Sequence, residues 1–235
     1  MDRTENLQRG IAIAPILFVV AILAVLAAAI AAGSGAFNGD TSTVSAKAQA
    51  SAILEYAEQV KMAVDLARSH GCSDTQISFE NPLHGDYTNP NAPGDKSCHV
   101  FDVNGGGISF LPIKVSKLET GNDGFFEFQG VNAVAGLGHL TAQLIAFLPL
   151  DSLDTCNKIN EMVGMKGYLG HDVYGVVRTY DFKGVYGTGA YNTLVNGGGT
   201  WIQGKMMGCL KKSSCCPAHH PLYAPYFFFT VLLVR

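Results

Sequence analysis

The chain has 235 residues, a formal net charge of −3 and only 15% charged residues. Its Lys and Arg residues are scattered and form no basic stripe, so binding to nucleic acid is not expected. The 27 glycines and the low charge are typical of loop-rich β structure. About 37 residues belong to an apolar N-terminal segment, and the remaining ~200 are enough for one domain with a hydrophobic core.

The N-terminal segment is long enough to cross a membrane. Residues 11–37 carry no charged side chain, and a helix of this length would measure about 40 Å, against ~30 Å for the hydrocarbon core of a bilayer. Arg3 and Arg9 precede it and Asp40 is the first charge after it. This bias favours a cytoplasmic N-terminus and export of the rest. We therefore predict a single transmembrane helix over residues 11–37.

A cleavable signal peptide is an alternative interpretation of the same segment. Ala29-Ile30-Ala31 has the small-x-small form of a cleavage site. However, the apolar region is about 20 residues long, against the usual 7–15 of a signal peptide. The flexible sequence Gly33-Ser34-Gly35 follows this site instead of preceding it. We favour the uncleaved interpretation, and a secreted protein released after Ala31 stays an alternative.

Residues 38–71 are predicted to form an amphipathic helix. Asp40, Thr41 and Ser42 are suitable N-caps, and Gly71 suits the position just after the helix. Apolar residues recur at spacings of three and four and are expected to face a core. They are Val44, Ala48, Ala52, Tyr56, Val60, Ala63 and Ala67. A plain membrane anchor followed by a linker and an ordinary first helix is the simpler alternative.

A short leader ending in glycine, a long apolar helix and an amphipathic continuation together resemble the type IV pilin and pseudopilin family, over roughly residues 1–70. The resemblance implies a leader over residues 1–10, cut by prepilin peptidase between Gly10 and Ile11, whose new N-terminus is methylated. It implies prepilin peptidase, other pilin-like subunits and inner-membrane lipid as partners. One position departs from the family, which usually has Glu as the fifth mature residue. Pro15 stands there; it fits the first turn of a helix but carries no charge.

The cysteines indicate a disulfide framework. All six follow the apolar segment, and an even number beyond a membrane element is typical of an oxidising compartment, either the periplasm or the exterior. We expect Cys72 to pair with Cys98, closing a loop of about 25 residues, which stabilises by roughly 3 kcal/mol. Cys156 is expected to pair with Cys209. Reduced cysteines in a cytosolic domain are the alternative.

The remaining residues, 72–235, are predicted to form one globular α+β head. The expected fold is a long N-terminal membrane helix that continues into an amphipathic helix packed on an antiparallel β-sheet, stabilised by disulfides. HVFDV and GGGISFLPI should form a hairpin around the turn Asn104–Gly107. FFEFQGV and TWIQGKMMGCL are expected to contain strands, the latter after a second turn at Asn196–Gly199. YFFFTVLLVR is apolar on both faces and should be an interior strand.

Two helices are expected within the head. HLTAQLIAFLPL is predicted to be helical, with Leu140, Leu144 and Phe147 on one face and Pro149 at its end. Ser152 is expected to cap a second helix, SLDTCNKINEMVG. The inner face of that helix should consist of Leu153, Cys156, Ile159 and Val163.

No residue pattern predicts catalysis or a cofactor. Cys215, Cys216, His219 and His220 are ligand types that suit zinc, but adjacent Cys-Cys and His-His pairs lack the usual ligand spacing. A disulfide or a free thiol is favoured there, and we expect no metal site. There is no GxSxG motif at a strand–helix junction and no carboxylate pair fixed by spacing. We therefore predict that the chain is not an enzyme.

The sequence favours a pilin-like or pseudopilin-like structural subunit of a bacterial type IV pilus or type II secretion-like envelope assembly. It would cross the inner membrane once, with a cytoplasmic N-terminus and a periplasmic or extracellular head. A membrane-anchored periplasmic domain that binds a ligand and does not polymerise is the alternative, beside the protein secreted by cleavage after Ala31.

Overall fold

The computed structural model describes residues 41–83, 85–113, 124–139, 141–165, 181–187, 192–194, 202–211 and 225–235. The structure does not describe the residues for which the sequence predicts a leader, a cleavage site at Gly10–Ile11 and a transmembrane helix over residues 11–37, Pro15 included. Also outside the described ranges are Cys215, Cys216, His219, His220 and the predicted turn at Asn196–Gly199. Among the described residues, no helix combines the length and apolar character needed to cross a membrane. The chain divides into two compact units, Met1–Ser45 and Ala46–Arg235.

The described part of the chain is α+β. Helix α1 covers Thr41–Ser69 and helix α2 covers Leu153–Met162; short 3₁₀ turns lie at Asp74–Gln76 and Gly85–Tyr87. The strands are β1 (Glu127–Val134), β2 (Gln143–Leu150), β3 (Asn192–Leu194), β4 (Met207–Lys211) and β5 (Tyr226–Leu233). They form one sheet in the order β3-β1-β2-β5-β4. The predicted antiparallel sheet is confirmed for four strands, and β3 adds a parallel edge to β1.

Helix α1 ends as its sequence predicts. Gly71 takes a φ of +97°, a conformation that glycine adopts without the Cβ penalty of other residues. The amides of His70 and Gly71 bond back to the carbonyls of Leu66 and Arg68. These bonds satisfy carbonyls that the end of a helix otherwise leaves unpaired. The chain therefore turns sharply after α1 and enters the head at Cys72.

The core lies on both faces of the sheet. On one face, the α1 residues Ile53, Ala57 and Val60 share a buried cluster with Phe128 and Leu148 of the sheet. The other face carries a second buried cluster, which includes Ile145 and Phe229. Strand β5 is buried along nearly its whole length and pairs with β2 on one side and β4 on the other. The prediction of an interior C-terminal strand is therefore confirmed.

The predicted helix over residues 139–150 is wrong, because the segment forms strand β2. All eight residues of Gln143–Leu150 are buried, so the strand shows no alternation of apolar and polar residues. A short, wholly apolar run cannot be assigned to helix or strand by periodicity alone. Pro149 lies beyond the part of β2 that pairs with β1 and pairs only with Phe227 of β5. Its missing N–H therefore removes no bond from the β1 side.

The predicted hairpin around Asn104–Gly107 is also wrong. Residues 98–107 form successive tight turns, and within the described residues only one bridge occurs here, between Ser78 and His99. The amide of Gly106 bonds to the carbonyl of His99 at 2.9 Å. A Cβ at Gly105 or Gly106 would collide with the backbone of His99 or Val100. The two glycines thus allow the backbone of a compact loop to pack closely, and no β-hairpin forms here.

Helix α2 forms where its sequence predicts. The hydroxyl of Ser152 accepts a hydrogen bond from the amide of Thr155 at 3.2 Å, which confirms the predicted N-cap. Cys156 and Ile159 are buried as expected. Leu153 is 43% exposed, however, and Asn160 is buried in its place. The polar side chain of Asn160 faces inward on α2 because it bonds to the backbone of Cys209 on β4.

Candidate assembly surface

Helix α1 carries an apolar stripe on its outer surface. Val44 is 64%, Met62 60% and Leu66 42% exposed, and Ala48 and Ala52 are exposed as well. At about 100° per residue, these five positions fall within an arc of about 80° on a helix. Single exposed apolar residues are ordinary, but several of them on one arc of a helix make that arc a candidate interaction surface. We call these five residues the α1 stripe.

The sequence assigned part of this stripe to the core. Helical spacing predicts that Val44, Ala48 and Ala52 are buried, but all three are exposed. From Tyr56 onward the assignment is confirmed, since Tyr56, Val60, Ala63 and Ala67 are buried. In the first half of the helix the buried positions are instead Ala46, Ala50 and Ile53. Alanines line both faces there, so spacing alone could not choose between them.

The centre of the α1 stripe is polar. By helix periodicity, Glu55 and Gln59 lie on the same arc as the stripe. The Gln59 amide stands 3.5 Å from the Glu55 carboxylate, so their contact is weak and exposed. The stripe therefore has an apolar patch at each end and hydrogen-bonding groups between them. This arrangement can combine apolar packing with polar contacts that fix the register of a neighbouring helix.

Two side-chain contacts hold α1 on the head. The hydroxyl of Tyr56 donates to the carbonyl of Ser109 at 3.0 Å and accepts from the amide of Leu111 at 3.1 Å. Burial raises the pKa of Tyr56, although the hydrogen bond from Leu111 opposes this. Farther towards the start of the helix, the Thr155 hydroxyl donates to the Gln49 amide oxygen at 2.8 Å. These contacts therefore fix the rotation of α1 about its axis, and with it the face of the helix that points outward.

Two disulfides brace the same framework. The structure pairs Cys72 with Cys98 and Cys156 with Cys209, the pairings that the sequence favours. The first joins the end of α1 to the loop that follows Asp95. The second joins α2 to the edge strand β4. All four cysteines are buried within the first core cluster, so the bridges reinforce the packing of α1 and α2 against the sheet.

The outer edge of β4 is protected by a side chain. The amide group of Asn160 donates to the carbonyl of Cys209 at 2.9 Å and accepts from the amide of Cys209 at 2.8 Å. It thus occupies both backbone groups through which another strand would pair. No sequence pattern indicates this contact, because a single Asn on a helix is usually solvated. Strand addition at this point of β4 would require the displacement of Asn160.

No described group of three or more His, Cys, Asp or Glu residues is arranged to hold a metal ion. The sequence analysis does not place Met62 and Leu66 on an exposed surface, although their spacing of four residues is the signal that could have found them.

Comparisons with protein-family models, curated proteins and solved structures found no match to this chain.

Proposed function

We propose that the chain is a pilin-like or pseudopilin-like structural subunit of a bacterial type IV pilus or type II secretion-like envelope assembly. The observation that carries the proposal is the α1 stripe, which lies away from the face of α1 that packs on the sheet. Helix α1 begins four residues after the segment that the sequence predicts to span the membrane. The stripe would then be buried by helices of neighbouring subunits.

The size of the stripe fits packing in a crowded membrane better than a stable dimer in solution. Val44, Met62 and Leu66 are already partly buried in the single chain. Covering their remaining surface contributes on the order of 1 kcal/mol for each side chain. That is small against the cost of association in solution. Helices that share a membrane are pre-aligned and concentrated, so the same contacts suffice there.

A membrane-anchored domain that binds a ligand and does not polymerise is the second candidate. The observation that favours it is a cavity beside His99, which is described in the next subsection. The two candidates differ in what covers the α1 stripe. The first requires another copy of the chain against the stripe, and the second leaves the stripe facing solvent.

Site-specific photo-crosslinking tests the proposal in native membranes. A photo-crosslinking amino acid at position 52 should give an adduct of twice the chain mass, since position 52 lies on the stripe. The same group at position 47, an exposed position off the stripe, should give much less. The change Ala52→Glu should abolish the adduct formed from position 48, whereas Lys47→Glu, the matched control, should leave it unchanged. Equal adducts from positions 47 and 52, or none from either, would contradict the proposal.

A further inference from the structure

A cavity of about 220 Å³ lies between the segments 80–82 and 96–102, remote in sequence from the α1 stripe. Pro82 and Phe101 supply apolar walls. Glu80, Lys96, His99 and Asp102 supply polar ones. The cavity is smaller than the ~300–1,000 Å³ typical of sites for drug-sized ligands. It therefore suits one small chemical group with a few carbon atoms.

The frame around the cavity is rigid. The amide of Ser78 bonds to the carbonyl of Cys98 at 3.0 Å, and the amide of Val100 bonds to the carbonyl of Ser78 at 2.9 Å. The Cys72–Cys98 disulfide ties the segment 96–102 to the end of α1. The Phe101 ring contacts the Phe110 ring with centroids 4.9 Å apart. A cavity held in this way exists before a ligand arrives, which reduces the entropy cost of binding.

Lys96 takes a backbone conformation that lysine rarely adopts. Its φ is +63°, and within the described residues it is the one non-glycine residue with a positive φ. Such a conformation is unfavourable for a residue with a Cβ atom and persists where the surroundings enforce it. The Lys96 ammonium lies 3.7 Å from the Asp102 carboxylate and is half exposed. Its charge is therefore turned towards Asp102 at the rim.

His99 is a buried polar side chain that borders the cavity. It is 7% exposed, and among the described residues no hydrogen-bond partner contacts its imidazole. An imidazole that borders a cavity and has no protein partner is open to a ligand that enters the cavity. A neutral imidazole has one nitrogen that can accept a hydrogen bond. The ligand is thus expected to present an N–H or O–H donor to His99.

The charge around the cavity is negative. Glu80 forms no ion pair within the described part of the chain, while Asp102 faces Lys96. Asp95 stands close enough to His99 for the two to interact electrostatically. Hydrogen bonds from Ser97 lower the pKa of Asp95, so its carboxylate is ionised at neutral pH. The cavity itself is lined by two carboxylates, Glu80 and Asp102, against the one ammonium of Lys96, and this excess of negative charge favours a cation over an anion.

We propose that this cavity binds a compact organic cation, a guanidinium or primary ammonium group on a short alkyl chain. Glu80 accepts hydrogen bonds from the cation and supplies the opposite charge. The imidazole of His99 accepts a further N–H, and Phe101 and Pro82 pack against the alkyl carbons. The group can belong to a free small amine or to an Arg or Lys side chain of a partner protein. The inference does not depend on the assembly proposed above.

Calorimetric titration of the full chain in detergent tests this inference with n-butylguanidinium as the probe. The control ligand is n-butylurea, which has a similar shape and no charge. We expect saturable binding of the cation, at least ten-fold tighter than that of the urea. Glu80→Gln should weaken binding at least ten-fold, whereas Glu58→Gln, a matched change on the exposed side of α1, should have no effect. The His99 ring resonances should shift on saturation.

The two sources of the cation are separated by a peptide. N-acetyl-Gly-Arg-Gly-amide presents the same guanidinium on a blocked backbone. Binding of both ligands supports a site that takes a protein side chain, and binding of n-butylguanidinium alone supports a site for a free amine. The inference is overturned if neither binds, if n-butylurea binds equally well, or if Glu80→Gln and Glu58→Gln behave alike.

Discussion

Replacement of Asn160 by alanine should destabilise the head strongly, because this side chain bonds both backbone groups of Cys209. Asn160 is 3% and Cys209 1% exposed, so water does not readily replace the lost partner. Each buried backbone group left unpaired costs about 1–3 kcal/mol. The Cys156–Cys209 disulfide holds α2 against β4 after the change and keeps those groups buried. The higher helix propensity of alanine offsets about 0.5 kcal/mol. We therefore expect a loss of about 2–5 kcal/mol.

Equilibrium unfolding in urea, without reductant, measures this loss. The shift of the midpoint equals the loss divided by the slope, which is about 1–3 kcal/mol per molar urea, so the midpoint should fall by about 0.7 M or more. Asn157→Ala is the matched control, since Asn157 is an exposed asparagine on the same helix, and it should change stability by less than about 0.5 kcal/mol. Hydrogen exchange at the Cys209 amide should also accelerate. If Asn160→Ala and Asn157→Ala have equal effects, the reasoning on the protected edge is refuted.

Three further changes test the packing of the head. Gly106→Ala should destabilise by about 1–3 kcal/mol in urea unfolding, because its Cβ would collide with the neighbouring backbone; Gly94→Ala, with open space around it, should be near neutral, and equal effects would contradict the argument. Burial raises the pKa of Tyr87 above its usual value near 10, so the folded state keeps this phenol protonated at a pH where the unfolded chain ionises it. The stability that the buried phenol contributes is therefore complete below pH 10 and is lost as the pH rises further. Tyr87→Phe should therefore lose less stability than the parent between pH 8 and 10.5, and an identical loss would show that Tyr87 does not titrate this way. Replacing Cys72 and Cys98 together by serine should cost about 3 kcal/mol, and an unchanged urea midpoint would contradict a stabilising bridge.

The sequence could predict the elements whose local signals agree with their surroundings. Gly71 ends α1 and Ser152 begins α2, because caps and glycine turns are decided by nearby backbone groups. The wholly apolar strand β5 was predictable because of its β-branched and aromatic residues. The similar apolar run of β2 contains Ala146 and Pro149 as well, and these obscured its strand character. Its assignment depends on pairing with β1 and β5, which are distant in sequence.

The candidate sites depend even more on tertiary contacts. The alanines of α1 satisfy a helical pattern on both faces, so only the packing of the sheet shows that Val44, Ala48 and Ala52 lie outside. The cavity is formed by two segments about fifteen residues apart, brought together by the Ser78–His99 bridge. Neither segment contains a recognisable motif. Its chemistry follows from the burial of His99 and from the position of Glu80 beside the same cavity, which a sequence does not specify.

The N-terminus of the mature protein tests whether the chain is a pilin-like subunit. The chain should be recovered from its native membrane and analysed by intact mass and N-terminal sequencing. We expect a chain that begins at Ile11 and carries a methyl group at its new N-terminus, and we expect Gly10→Ala to prevent this processing. A chain that begins at Ala32, or one that retains Met1, would contradict the account of a pilin-like subunit.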